Sequence, residues 1–135
     1  MENGIVCIAN NLFETLLAIS EHEQQKGLMH VDPPVPIMTF VYAKPRINKF
    51  WMSNTKAPLD IIFCNNGKVS EVCYGEPYST AMIGGNCASN LVVELPFGLA
   101  KSSGIKIGQS VGLIKPNHEE LRKIFAEKYQ TLIKF

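Results

Sequence analysis

The chain has 135 residues, 46% of them hydrophobic and 19% charged. That is enough for one domain with a real core, and it excludes a disordered tail protein. The 13 Lys and Arg against 12 Asp and Glu leave a net charge of +1, so no global charge draws the chain to nucleic acid or a membrane surface.

Residues 5–19 read as a hairpin. Ile5–Ala9 form a short apolar run, Asn10-Asn11 suit a tight turn, and the return places Phe13, Leu17 and Ile19 on one face. Ser20 and Glu23 have capping-box spacing, so the polar stretch 21–26 is expected as a short helix ended by Gly27. The prolines at 33, 34 and 36 mark an irregular connection. Residues 38–42 and 49–52 read as two strands separated by a turn at Lys44-Pro45. Residues 59–64, Leu-Asp-Ile-Ile-Phe-Cys, form a strand apolar on both faces and hence covered on both sides. Asn65-Asn66-Gly67 signals a hairpin to a partner strand at 69–74. Periodicity is weak over 75–90, where Gly84-Gly85 suggests a tight turn or a close backbone approach. A strand at 91–95, a helical turn within 97–103 and a last strand at 110–114 follow. Asn117 and Glu120 repeat the capping-box spacing. They open an amphipathic helix of about 15 residues through 117–133, expected as core or subunit contact.

About seven or eight short strands with Pro- and Gly-rich connections predict a mainly β domain over 1–135. The expected form is a compact antiparallel sandwich or partly closed barrel, with short helical segments and the C-terminal helix. No apolar run reaches the roughly 20 residues that span a bilayer. Polar residues interrupt the first segment where a leader would be apolar, so no signal peptide and a cytoplasmic place are expected. Cys7, Cys64, Cys73 and Cys87 form no Cys-x-x-Cys pair, and His22, His30 and His118 are scattered. The cysteines are read as small hydrophobes in a reducing compartment; no metal and no cofactor is expected.

Gly27-Leu28-Met29, the block Phe50-Trp51-Met52-Ser53-Asn54-Thr55-Lys56-Ala57-Pro58-Leu59-Asp60, and the run Leu91–Gly98 followed by Gly104–Gly108 together resemble the DUF192 family. The resemblance covers about residues 5–114. It implies a compact, mostly β fold and, because the family has no settled activity, no particular reaction. Three positions depart from the pattern. His30-Val31 stand where an aromatic residue and Arg are common, and Ser53 stands where Lys is frequent. If those basic residues contact an anion in relatives, the resemblance implies that the contact is altered or lost here.

Asp60 and Glu94 are the candidate acid–base residues. Each carboxylate sits in an apolar strand and needs a partner or a solvent opening. Asn54 and Thr55 precede Asp60 and are expected to pin the 53–58 turn to the strand, or to face a ligand. Trp51 is expected to fill the core, with the wall of a concave site as the alternative role. Lys44, Arg46 and Lys49 read as solvated loop charge, and Tyr74 and Tyr78 as rim material. The leading expectation is a noncatalytic domain that binds a small polar ligand or a protein partner through Trp51, Asn54, Thr55, Asp60 and Glu94. A small hydrolase with paired carboxylates is the first alternative. An assembly or regulatory protein that acts, and self-associates, through 117–133 is the second.

Overall fold

A computed structural model describes residues 1–115, so the helix expected at 117–133 lies outside the described residues. The described chain is mainly β. The strands are β1 (Glu2–Ile8), β2 (Asn11–Ala18), β3 (Met38–Phe50), β4 (Leu59–Asn65), β5 (Lys68–Gly75), β6 (Ile83–Pro96) and β7 (Val111–Ile114). Two short helices, α1 (Glu21–Lys26) and α2 (Leu99–Ser102), interrupt them. All seven strands join one sheet in the order β5-β4-β6-β3-β2-β1-β7. Its pairs are antiparallel except β2 with β3, which α1 and the proline-rich connection separate.

This single curled sheet corrects the sandwich expectation in favour of the partly closed barrel. Its two edges meet at one corner. There the Val69 amide donates to the Gln109 carbonyl at 2.9 Å, and the Gly108 amide donates to the Val69 carbonyl at 2.8 Å. An isolated bridge joins Lys68 and Ser110. Curling follows from the handed twist of the strands and removes part of the exposed edge.

The curl gives two cores. Val6, Ile8, Ile62, Cys64, Val69, Val93 and Leu95 meet in an inner core that draws on both edge regions. Met38, Phe40, Leu59, Ile61, Phe63 and Val92 meet on the opposite face, in an outer core. That core is covered by Leu28, Val35, Met52 and Ala57 from the connections. Strand β4 serves both, and Leu59–Cys64 are all buried, as its two-sided apolar pattern requires.

Three elements differ from the expectations. The first turn is Ala9-Asn10 and not Asn10-Asn11, because Asn11 pairs with Ile8 and its side-chain Nδ2 donates to the Ile8 and Ser103 carbonyls. The two strands expected at 38–42 and 49–52 are one strand, β3. Pro45 falls in the register shift between Val41 and Arg46, where the ladder is broken and the missing N–H costs nothing. Strand β6 starts at Ile83, well before the expected 91. Its weak early periodicity reflects Gly84 and Gly85, which carry no side chain to alternate. Gly84 sits against the Phe63 ring; a Cβ there would lie 2.2 Å from Phe63 Cζ, at a φ of +80°.

The capping box of α1 forms as its spacing implies. Ser20 Oγ accepts from the Glu23 amide, and Glu23 Oε1 accepts from the Ser20 amide. Among the described residues no helix is long and apolar enough to cross a membrane.

Gly84→Ala should therefore destabilise the fold by about 1–3 kcal/mol, through overpacking on Phe63 and a left-handed backbone. Urea unfolding of the variant checks this. An unchanged midpoint would show that Phe63 can leave its place freely.

Candidate functional site

A cleft of about 1060 Å³ opens on the outer face, between α1 and the strand pair β3–β6. That is the size range of small-molecule sites. Helix α1 is held over the sheet by Gln24, whose Nε2 donates to the Ala18 carbonyl at 3.1 Å and the Val41 carbonyl at 2.8 Å. This bond pair straddles the parallel β2–β3 junction. It brings Gly27, Leu28 and Met29 to one wall of the cleft, while Trp51 and Thr55 line it from the segment after β3.

The floor holds Phe40, Phe50 and Glu94. Phe40 and Phe50 meet edge-on at 4.8 Å, and Phe50 meets Phe63 edge-on at 5.6 Å, which gives the base a fixed aromatic row. Glu94 is 4% exposed, and its buried Oε1 has no hydrogen-bond partner among the described residues. Loss of water pushes its carboxyl up to about 8, so the neutral acid dominates at pH 7. Such a group can both donate and accept a hydrogen bond. Gly27 passes above it: a Cβ at this glycine would stand 3.9 Å from Glu94 Oε1 and 3.4 Å from the Phe40 ring. Tyr42 stands beside it, half-buried. Burial raises the Tyr42 phenol to about 12 against the pull of Arg46, whose guanidinium lies 5.2 Å from the Tyr42 ring centre.

The expected site residues separate into two groups. Trp51, Thr55 and Glu94 share the cleft. Asp60 and Asn54 do not line it. Asp60 pairs in register with Leu95, an inner-core residue, whereas Glu94 pairs with Ile61 of the outer core. Directly paired residues share a face, so the two carboxylates point to opposite sides of the sheet. The paired-carboxylate arrangement behind the hydrolase alternative does not form. Asp60 Oδ2 instead accepts from the amides of Gly98 (2.9 Å) and Ala100 (3.0 Å). It pins the turn into α2, which corrects the expected tie to the 53–58 turn. Asn54 is exposed in that turn with a φ of 54°, and its carbonyl accepts from the His30 amide at 2.8 Å.

Trp51 is 48% exposed, against the expectation of core packing. It follows the last residue of β3, where the chain leaves the sheet, and Met52 takes the buried place beside it. Tyr74 pairs edge-on with Phe97 at 5.0 Å, and neither it nor Tyr78 lines the cleft. Sequence reasoning discounted the basic patch of Lys44, Arg46 and Lys49, which belongs to β3 and lines the cleft together with Tyr42. A single long strand would have revealed them, but Pro45 disguised it. Among the described residues no three His, Cys, Asp or Glu side chains come together as a metal site.

A family model, DUF192, described as an uncharacterized ACR, matches residues 5–113. A protein of unknown function from Novosphingobium aromaticivorans DSM 12444 has a similar solved structure, with a TM-score of 0.75 and 32% identity, covering 80% of this chain and 83% of that one. A second, from Sinorhizobium meliloti 1021, is described as a candidate transcription regulator. Its TM-score is 0.77 and its identity 25%, over 82% of this chain and 92% of that one. No curated protein matches the chain.

The two carboxylates, on opposite faces, differ in what they do for stability. Glu94 titrates at about 8 in the folded protein against an ordinary 4.5, so its contribution to stability is complete below 4.5 and is lost as pH rises through about 8. Relative to Glu94→Gln, the native protein should lose on the order of a few kcal/mol across that window. Urea unfolding of both proteins at a series of pH values measures it; parallel curves would mean that Glu94 is solvated. Asp60→Ala should cost about 2 kcal/mol or more, because two amides lose a carboxylate acceptor. A variant as stable as the native chain in the same assay would remove the pinning role.

Proposed function

The chain belongs to the DUF192 family, and on that premise we propose that it is a noncatalytic binding domain whose outer-face cleft takes a small polar ligand. The observation that carries this reading is Glu94 Oε1, a buried oxygen on the floor of a cleft with no partner among the described residues. Leaving a buried polar atom unpaired costs on the order of 1–3 kcal/mol, and such a cost is accepted where a ligand supplies the missing bond. Thr55 supports the same reading. It is buried at the cleft, and its hydroxyl donates to the Ser53 carbonyl at 3.2 Å, which leaves its lone pairs free to accept. Trp51 adds a flat apolar plate at the side. Asp60 and Asn54 serve this function only by holding the turns that frame the domain.

Trp51 is the only tryptophan in the chain, so its fluorescence reports the cleft directly. Titration with a library of small polar metabolites should identify compounds that shift Trp51 emission and raise the melting temperature together. Glu94→Met keeps the length of the side chain and removes both oxygens. It should weaken such a compound about tenfold or more, the worth of a buried hydrogen bond, while the melting temperature without ligand holds or rises. A ligand bound equally well by Glu94→Met, or a library that leaves Trp51 emission unmoved, would refute the cleft as the binding site.

A further inference from the structure

The charge around the cleft narrows what it takes. Lys26, Lys44, Arg46 and Lys49 line it, against a single exposed acid, Glu21, and the buried Glu94. The whole chain carries only +1, so this face holds far more than its share of positive charge. Among the described residues the ion pairs are Lys56 with Asp32 and the N-terminus with Glu23. Neither uses a cleft cation. Two of the cations are also held in place. The Arg46 guanidinium lies over the Tyr42 ring, and the Lys49 stem lies along Gly85, where a Cβ would stand 2.7 Å from Lys49 Cγ. Fixing a long basic side chain in advance removes part of the entropy lost on binding an anion.

These cations do not neutralise Glu94, which pairs with no basic group among the described residues. The cleft therefore presents two separate kinds of recognition. Its rim offers positive charge that no acid among the described residues pairs with. Its floor offers one buried oxygen able to exchange a hydrogen bond with a hydroxyl. Trp51, half-exposed, offers a flat face against which a ring can lie.

Resting on the binding reading above, we infer that the ligand is an anionic hydroxylated ring, with its hydroxyl at Glu94, its ring on Trp51 and its anionic group at Arg46 and Lys49. Sugar acids and sugar phosphates share this chemistry.

The test is a Trp51 fluorescence titration of the full chain, repeated by calorimetry. The probes are glucuronate, galacturonate, glucose 6-phosphate and mannose 6-phosphate, with glucose, galactose and inorganic phosphate as controls. At least one charged sugar should bind about tenfold or more tightly than its neutral parent, and should weaken as salt is raised from about 0.05 to 0.5 M. Arg46→Gln and Lys49→Gln should each lower that affinity about fivefold or more. Lys101→Gln, the same charge change away from the cleft, should leave it unchanged. The two uronates against the two phosphates show which anion is preferred. Equal binding of neutral and charged sugars overturns the inference and leaves the cleft as a ligand site. So does inorganic phosphate binding as tightly as the sugar phosphates, or an equal loss in Lys101→Gln. If none of the four charged sugars binds while other metabolites move Trp51, the inference fails alone. If no compound of any class moves it, the binding reading fails with it.

Discussion

The pairing of β4 with β6 is the constraint on which the rest depends. Leu59–Cys64 are all buried, so β4 has no solvent face, and neighbouring residues along it belong to different cores. Whatever pairs with β4 inherits that division. Asp60 lies opposite Leu95 and Ile61 opposite Glu94. One position of offset is the whole difference between a carboxylate that holds the inner turn at Gly98–Ala100 and one that floors the outer cleft. A slip of one residue would exchange the two faces and bury every polar group against the wrong core, which makes this register strongly determined.

The outer cleft is built around the same pair. Phe40, Phe50 and Phe63 form a row beneath it, and Gly84 lets the Phe63 ring reach the β6 backbone. The rings brace one another edge-on, which opposes collapse of the floor onto Glu94. Above, α1 is short and buries no residue of its own. Its place comes from the Gln24 bonds to the Ala18 and Val41 carbonyls and from Leu28, which enters the outer core just beyond the helix. Gly27 then crosses near Glu94 without a side chain to close the space. A φ of 49° and a ψ of −130° make this a backbone place that suits glycine. Polar atoms left unpaired and backbone held in rare conformations tend to gather where a structure serves something other than stability. Here both occur within a few ångströms.

Local features of the fold were legible in the sequence because short-range chemistry fixes them. Ser20 and Glu23 make the cap that their spacing implies, Asn66-Gly67 make the β4–β5 turn, and the two-sided apolar run at 59–64 is a strand buried on both faces. The motif residues Gly27-Leu28-Met29, Trp51 and Thr55 proved to be neighbours across the cleft. What was not legible depended on pairing at long range. Pro45 reads as a break, yet β3 carries it in a register shift against β6. Gly84 and Gly85 erase the alternation that would mark the start of β6. Trp51 reads as core because a large aromatic usually is, but Met52 occupies that place. The two carboxylates looked alike in strands of like composition. Only the register of β4 on β6 shows that they face opposite ways.

The fold itself does not select a function. One fold commonly hosts unrelated activities. What sets this chain apart is chemistry that folding alone does not ask for. An apolar residue at position 94 would pack between its cross-strand partners Met38 and Ile61 at no desolvation cost. A glutamate there is neutral at pH 7 only because water is kept away from it, and it lies on the side of the sheet where β3 turns Lys44, Arg46 and Lys49 to the same opening. Cations exposed to water act on one another weakly and on a buried neutral acid hardly at all. They gain strength when an occupant displaces the water between them. The floor and the rim are thus independent contributors in the empty protein. Each becomes worth more in the presence of the other once a single molecule touches both.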